Sequence, residues 1–194
     1  MSGIRLLVGL GNPGREYAAT RHNAGVWMLE RIADRLGIEL RAAGRFQGRA
    51  GKGRLDGREL WLLAPQTFMN LSGDAVAPFA RYYKIPPPAI LVIHDDLDLP
   101  PGVVRLKRGG GAGGHNGLAD VIRKLGSRDF ARLRIGIGHP GAADQVSGYV
   151  LRPAPAEEQA LIEAAMQRAL AQLPYIVAGD FQPAMNALHA PSTA

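Results

Sequence analysis

The amino-acid sequence predicts a single α/β domain, built on a twisted, mixed and mostly parallel sheet that is flanked by helices. Three observations indicate this class. Short, nearly continuous apolar runs alternate along the chain with segments whose apolar residues recur at helical spacing. The 194 residues, 46% of them hydrophobic, are enough for one substantial core and few for two. No internal repeat divides the chain. We therefore expect one domain over residues 1–189 and a flexible tail over 190–194.

The predicted elements of the N-terminal half are bounded by turn and cap residues. In chain order they are a buried strand, a helix, the two strands of a hairpin and a second helix: Ile4–Leu10, Ala24–Leu36, Phe46–Arg54, Glu59–Ala64 and Ser72–Tyr83. The first helix meets Gly37, which favours a left-handed stop. The Asp-Gly pair at 56–57 is a strong hairpin signal. We expect Ser72 to cap the second helix and Pro78 to kink it, before Pro86–Pro88 ends the unit.

The C-terminal half continues the alternation of strands and helices. Its predicted elements are Ala89–His94, Val103–Lys107 and Leu133–Gly138 as strands, with Asn116–Leu125, Pro155–Val177 and Phe181–Leu188 as helices. The first of these strands opens onto Asp95 and Asp96, at a carboxyl end of the kind where open α/β sheets tend to place their sites. Gly109–Gly114 contains five glycines in six residues. Because such a segment is too flexible for a core element, we expect it to form a mobile rim or lid.

Composition excludes several classes of protein. The chain has no cysteine, so it forms neither a disulfide framework nor a thiolate metal site. No run of 18 apolar residues is present, which argues against a membrane span. The N-terminal residues run into a Gly/Pro turn and lack the apolar segment and cleavage site of a signal peptide. We therefore expect a cytoplasmic protein.

Positive charge is concentrated in the middle of the chain. The formal net charge is +6, and the segment Pro101–Arg134 holds eight Lys and Arg residues against two aspartates. This distribution is typical of a face that binds a polyanion such as RNA. The alternative is a solvated surface in an arginine-rich protein, and charge alone does not decide between the two.

A glycine-rich motif after the first strand raises a dinucleotide-binding enzyme as an alternative function. Residues Gly9–Gly14, GLGNPG, satisfy the pattern Gly-x-Gly-x-x-Gly. In a dinucleotide-binding fold the helix starts within the glycine loop and points its N-terminus at the pyrophosphate. Here the helical pattern begins only near Asn23, and the acidic residue about 20 positions on, Asp34, lies inside that helix. The context therefore argues against a nucleotide site.

His22 and Asp95 are candidates for a general base and its orienting carboxylate. His22 lies in a polar cluster, Thr20–Asn23, between a turn and a helix start, and Asp95 follows a buried strand. A neutral imidazole abstracts a proton from water, and a carboxylate bonded to its other nitrogen fixes the tautomer. The alternative is a capping or surface histidine, because the sequence does not show that these segments meet. For His115, next to Asn116, a catalytic and a structural role both stay open.

A metal centre and covalent catalysis are both disfavoured. His94, Asp95, Asp96 and Asp98 are ligand types, but neighbouring residues on an extended segment point to opposite sides, and their spacing specifies no metal geometry. The chain has no Gly-x-Ser-x-Gly motif and no cysteine, so neither a serine elbow nor a thiol nucleophile is available.

Four long motifs resemble those of the bacterial peptidyl-tRNA hydrolase family. They are GLGNPGREYAATRHNAG at Gly9–Gly25, PQTFMNLSGDAV at Pro65–Val76, the segment from HDDLDLPPG to GGGAGGHNG at His94–Gly117, and LRIGIGHPG at Leu133–Gly141. The resemblance runs in order over essentially the whole chain. It implies hydrolysis of the ester between a peptide and the 3′ ribose of tRNA, by a monomeric α/β protein that needs no metal, organic cofactor, membrane or obligate protein partner.

The resemblance also assigns roles to individual residues. It implies that His22 is the catalytic base and that Asp95 orients it, and we predict that Asn70 or Asn12 stabilises the oxyanion. The other matched positions are Asn116, Tyr17 and Met69, which it places at the substrate, and Lys107 with Arg134, which it places at the tRNA phosphate. We add His115 to the predicted substrate site and Arg108 to the predicted tRNA contacts. The alternative from another class is a non-catalytic RNA-binding protein that keeps this scaffold.

Overall fold

The sheet of this protein has seven strands in the order β2-β3-β4-β1-β5-β7-β6 in a computed structural model that describes residues 3–190. The strands are β1 Leu6–Gly9, β2 Arg41–Ala43, β3 Gly48–Leu55, β4 Arg58–Pro65, β5 Ile90–Asp96, β6 Val104–Arg108 and β7 Ala131–Gly136. The four central strands run parallel to one another, whereas β3 pairs antiparallel with β2 and β4, and β6 with β7. The predicted mixed α/β sheet is confirmed.

Seven α-helices pack on the two faces of the sheet within residues 3–190. They are α1 Ala24–Leu36, α2 Gly73–Tyr82, α3 Asn116–Leu125, α4 Val146–Val150, α5 Ala156–Ala171, α6 Leu173–Ala178 and α7 Phe181–His189. Helices α1, α5, α6 and α7 bury one apolar core against the sheet, and α2 and α3 bury a second core on the opposite face. Both faces are therefore covered, which accounts for the nearly continuous apolar runs of the central strands. None of the helices in this part of the chain combines the length and apolar character that crossing a bilayer requires.

Two predicted helices have the predicted bounds, and each is followed by a glycine, of which Gly37 was the expected stop. Helix α1 ends at Gly37 and α3 at Gly126, both in the left-handed conformation with φ of 66° and 73°. The predicted hairpin at 56–57 joins β3 to β4 in antiparallel register. The predicted tail at 190–194 lies almost wholly outside the described residues, which end at 190.

Several sequence-based expectations were wrong. The expected helix Pro155–Val177 is two helices, because Pro174 starts the first turn of α6 and has no N–H to continue the α5 hydrogen bonds. Ser72 does not cap α2: its backbone is already helical, and its hydroxyl donates to the Met69 carbonyl at 2.6 Å. Strand β2 and helix α4 were not predicted.

Helix α1 approaches the sheet closely because two glycines face each other. A Cβ on Gly9 would lie 2.5 Å from the carbonyl oxygen of Gly25, and a Cβ on Gly25 would lie 2.3 Å from that of Ile93. No side chain fits at these distances, so the glycine pattern of the first motif serves the packing of α1 on β1 and β5.

We expect Gly25→Ala to destabilise the fold by about 1–3 kcal/mol, because the added methyl group overpacks a backbone contact. In a chain of this length each kcal/mol lowers Tm by about 2–4 °C, which calorimetry measures. Gly148→Ala in α4 is the matched control, since a Cβ there meets nothing within 4 Å. Equal Tm values for the two variants would contradict this account of the packing.

Candidate active site

A cleft of about 540 Å³ opens at the carboxyl ends of β1 and β5. Its walls come from the loop after β1, the 3₁₀ turns Arg21–Asn23 and Met69–Leu71, the segment 112–116 and helix α4. Parallel strands bring their carboxyl ends to the same edge of the sheet, so segments far apart in sequence meet here. The cleft is lined by every catalytic and substrate-binding candidate from the sequence: Asn12, Tyr17, His22, Met69, Asn70, Asp95, His115 and Asn116.

The centre of the cleft is the carboxylate of Asp95, which is only 2% exposed. Its Oδ2 lies 2.8 Å from Nδ1 of His22, and its Oδ1 lies 2.9 Å from Nε2 of His115. Burial alone would raise the pKa of Asp95, but the charges and hydrogen bonds of the two imidazoles outweigh it and hold that pKa far below its ordinary range. Asp95 is therefore a carboxylate that accepts one N–H on each oxygen.

His115 has both ring nitrogens committed. Its Nδ1 accepts a hydrogen bond from the backbone N–H of Leu118 at 3.1 Å, so that His115 is the N-cap of α3. Nδ1 is consequently unprotonated, and the ring proton sits on Nε2, where it is donated to Asp95. This arrangement suits a residue that orients Asp95, and it leaves His115 no free nitrogen with which to accept a proton from water.

His22 is arranged differently, because within residues 3–190 only its Nδ1 has a hydrogen-bond partner. Its Nδ1–H faces Asp95, so that Nε2 is the unprotonated nitrogen of the neutral ring. Burial lowers the pKa of His22, but the neighbouring Asp95 carboxylate more than offsets this and raises it above the ordinary value. His22 thus has a raised pKa and a nitrogen available to take a proton.

Three asparagines surround this pair of histidines. Oδ1 of Asn12 accepts the backbone N–H of Met69 at 2.7 Å, and its Nδ2 donates to no residue in the described part of the chain. The side chains of Asn70 and Asn116 are exposed at the rim and hydrogen-bond to no other residue within 3–190. The cleft therefore combines a fixed amide donor with two adaptable amides, next to the half-buried Tyr17 and the buried Met69.

A second, smaller cavity of about 240 Å³ adjoins the cleft, and its lining combines three basic side chains with Asp96 and Asp98. Nε of Arg134 donates to Oδ2 of Asp96 at 2.7 Å. Lys107 and Arg134 line it, together with the buried Arg132. Cross-strand register places Arg105 opposite Arg134, and Lys107 opposite Arg132. Residues that oppose each other, or lie two apart on one strand, share a face of the sheet. All four side chains therefore belong to one surface, which we call the basic face.

Arg108 does not lie on the basic face. It is adjacent to Lys107 in β6 and so projects to the other side of the sheet. There its guanidinium stacks on Phe181, 3.8 Å from the ring centroid, and donates to the Gly179 carbonyl. Arg105 was not among the residues predicted to contact tRNA, although strand alternation in Val104–Arg108 was a signal that would have separated residue 108 from residues 105 and 107.

Arg132 restrains the glycine-rich loop between β6 and α3. Its guanidinium is 2% exposed and donates to the carbonyls of Gly110, Gly111 and Arg128. Burial, followed by the charges of Arg128 and Arg134, lowers the pKa of Arg132 to about 10. The first half of the loop is thus tied to β7.

Neither a dinucleotide site at Gly9–Gly14 nor a metal centre at His94–Asp98 has suitable geometry in the structure. The Gly9–Gly14 motif is followed by a turn, and the first residues of α1, which begins only at Ala24, pack directly against Gly9 and Gly11 and leave no space there for a pyrophosphate. His94 donates from Nδ1 to the Asp95 carbonyl, so it does not join the Asp95 carboxylate. The set of ligand types that does converge within residues 3–190 is His22, Asp95 and His115, with ligand atoms within 4.8 Å. Two N–H donors already satisfy that carboxylate, so a cation there would have to displace both protons.

Comparison with known proteins agrees with the resemblance seen in the motifs. The profile of the peptidyl-tRNA hydrolase family matches residues 6–194. The peptidyl-tRNA hydrolase of Nitrosospira multiformis is 57% identical over 189 residues, covering 96% of this chain and 97% of that protein. The one from Acinetobacter baylyi is 54% identical over 190 residues, covering 98% of each. A crystal structure of the Acinetobacter baumannii peptidyl-tRNA hydrolase superposes with a TM-score of 0.96 at 52% identity, covering 98% and 96% of the two chains. The chain belongs to the peptidyl-tRNA hydrolase family.

Proposed function

We propose that this protein hydrolyses the ester bond of peptidyl-tRNA and of N-blocked aminoacyl-tRNA. The reaction releases free tRNA and peptide for reuse in translation. The observation that carries the proposal is the buried Asp95 carboxylate, which orients His22 in a cleft lined by three asparagines and adjoining a basic face. Such a site offers a base, amide donors and phosphate contacts, which are the groups that this ester requires. We assign the activity to a cytoplasmic monomer without an obligate protein partner, as the family resemblance implies.

The chemical step uses His22 as general base. Nε2 of His22 takes a proton from a water molecule, whose oxygen attacks the ester carbonyl carbon. Asp95 holds the ring in the tautomer with the proton on Nδ1 and stabilises the imidazolium that forms. The imidazolium then returns the proton to the ribose oxygen as the carbon–oxygen bond breaks. His115 keeps the second oxygen of Asp95 satisfied and so holds the carboxylate in place.

Asn12 is the better candidate for the donor that stabilises the oxyanion. Its Oδ1 is already bonded to the N–H of Met69, so the amide is held with its two N–H bonds as the available groups. A donor fixed before the reaction costs no reorganisation when negative charge develops on the carbonyl oxygen. Asn70 and Asn116, which are exposed, suit the more variable peptide backbone instead, with Tyr17 and Met69 beside them.

Selection for a peptidyl group follows from the neutral character of these amides. An amide side chain offers both a donor and an acceptor, so it pairs with the amide at the N-blocked end of the substrate. A free aminoacyl-tRNA has a charged ammonium there, and leaving a buried partner unpaired costs about 1–3 kcal/mol, with desolvation of the charge in addition. Equal rates for N-acetylated and free aminoacyl-tRNA would contradict this hypothesis.

The basic face would bind the tRNA backbone near the acylated end. Lys107 and Arg134 supply phosphate contacts, and the register adds Arg105 to them. Phosphate contacts fix the position of an RNA without reading its bases, so selectivity comes from the acylated end and the backbone shape. Arg108 is the matched control within the same strand, because it stacks on Phe181 instead.

We expect His22→Ala to lower turnover of N-acetyl-aminoacyl-tRNA by ~10²- to 10⁴-fold, because the general base is lost. The measurement is release of tRNA by purified protein in the presence of a chelator, with RNA binding followed in parallel. Salt-dependent RNA binding without turnover by the unaltered chain would favour the non-catalytic RNA-binding alternative.

We expect Asp95→Asn to move the acidic limb of the pH–rate profile to lower pH. Turnover needs neutral His22 and therefore falls as the pH drops through the pKa of His22. Asp95 raises that pKa, so its removal leaves burial, which lowers it. The maximal rate should also fall by ~10²-fold or more, because the imidazole loses its orienting acceptor. An acidic limb that stays in place or moves to higher pH would contradict the assignment of the base.

We expect Lys107→Met to flatten the salt dependence of tRNA affinity by about one unit of log–log slope, since one phosphate contact is removed. Arg108→Met should leave the slope unchanged within error, although it loses a stacking contact with Phe181. The measurement is the Kd of tRNA over a series of salt concentrations. The reverse order of effects would place the phosphate contacts on the other face of the sheet.

A further inference from the structure

The side-chain amide of Asn23 forms two hydrogen bonds with the main chain of Asn12, one through its oxygen and one through its nitrogen. Its Oδ1 accepts the N–H of Asn12 at 2.9 Å, and its Nδ2 donates to the carbonyl of Asn12 at 3.0 Å. Asn23 is 4% exposed, so these bonds are shielded from water. The two bonds also fix which atom is oxygen, because the flipped amide would oppose donor to donor and acceptor to acceptor.

This contact prevents the Asn23 side chain from capping α1, which is the role that its position favours. Asn23 immediately precedes α1, where asparagine commonly caps the helix and contributes about 1 kcal/mol. Its side chain makes no capping hydrogen bond there. The amide is instead committed to a residue 11 positions earlier in the chain. A residue whose only role was to stabilise the helix would not be used in this way.

The contact between Asn23 and Asn12 requires that residue 11 has no side chain. A Cβ at Gly11 would lie 2.9 Å from Cγ of Asn23 and 2.6 Å from Cγ2 of Val26. Any side chain at this position would push Asn23 away from Asn12. Gly11 is the central glycine of the Gly9–Gly14 motif, which is not explained by a nucleotide site. Its lack of a side chain lets the loop after β1 pack against the turn that precedes α1.

The consequence concerns Asn12. Asn23 holds its main chain from one side, and the N–H of Met69 holds its Oδ1 from the other. The loop after β1 has no strand neighbour of its own at this point, so without Asn23 the N–H and carbonyl of Asn12 would lose their partners. The same 3₁₀ turn, Arg21–Asn23, carries His22. Neighbouring residues of one turn therefore set both the base and the amide donor.

We infer that Asn23 is a positioning residue for the esterase reaction: it does not touch the substrate, and it fixes the Asn12 amide where the ester oxyanion forms. The inference rests on the proposed function and on the proposed role of Asn12. It goes beyond them by assigning the geometry of the oxyanion donor to a residue outside the cleft wall.

A double-mutant cycle tests the inference. The variants are Asn23→Ala, Asn12→Ala and the double variant, assayed for kcat and KM on N-acetyl-aminoacyl-tRNA. We expect Asn23→Ala to lower kcat by about 10- to 100-fold, less than the ~10²- to 10³-fold that loss of an oxyanion donor costs, because the Asn12 amide is still present but no longer held, with KM changed less than about threefold. In the Asn12→Ala background the same substitution should lower kcat by less than about threefold, because there is no longer an amide to position.

Further variants separate positioning from general damage to the turn. Asn23→Asp keeps the size and the acceptor for the N–H of Asn12, but it sets a carboxylate against the Asn12 carbonyl, so it should be as impaired as Asn23→Ala. Thr20→Val is the matched control, since it removes a buried hydrogen bond of the adjacent turn, to Tyr17, without touching Asn12. It should keep kcat within about threefold. The acidic limb of the pH–rate profile should not move in Asn23→Ala, because Asp95 and His22 are unaltered, and thermal unfolding checks that each variant is folded.

Each contrary outcome has a distinct meaning. Equal loss of kcat from Asn23→Ala in the unaltered and Asn12→Ala backgrounds would overturn the inference, as would a shifted acidic limb or full activity of Asn12→Ala, while the esterase itself would stand. No hydrolysis by the unaltered chain under conditions where it binds tRNA would overturn the proposed function, and the inference with it.

Discussion

The carboxylate of Asp95 is the constraint on which the site depends. A buried charge is costly unless hydrogen bonds compensate for lost water, and here each oxygen receives one imidazole N–H. Those donors come from the turn before α1 and from the start of α3, whereas Asp95 itself ends β5. The three elements must therefore meet within hydrogen-bond distance, and the two imidazoles acquire different roles because His115 is also bonded by the N–H of Leu118.

Two apolar cores and one close backbone contact bring these three elements together. The cores on either face hold the central parallel strands, so that the ends of β1 and β5 stay in register. Gly9 and Gly25 let α1 approach the sheet, which brings His22 to Asp95 and Asn23 to Asn12. On the other face, α3 presents His115, and Arg132 ties the preceding glycine loop to β7. The stability of the packing and the geometry of the site are thus parts of one arrangement.

Local signals in the sequence predicted most helices and strands. The features that could not be predicted depend on contacts between residues far apart in the chain. The bounds of α1 and α3 could be predicted because apolar periodicity ended at a glycine in each case. Strand β2 could not, since Arg41–Ala43 has no apolar run and is a strand only through its pairing with β3. The site residues matched by motif line the cleft, but the capture of Asn12 by Asn23 depends on where the loop and the turn meet in space. Strand alternation in β6 separates Arg105 from Arg108, whereas register, which sequence does not give, places Arg105 opposite Arg134.

The function proposed for His22 depends on Asp95, which fixes it in the tautomer with its proton on Nδ1 and raises its pKa. Nitrogen NMR of the labelled histidines measures both properties in the unaltered protein. We predict that neutral His22 has Nε2 unprotonated, that His115 has Nδ1 unprotonated, and that His22 titrates above the ordinary pKa of about 6.5 for histidine. A proton on Nε2 of neutral His22, or a pKa of His22 below the ordinary value, would contradict the account.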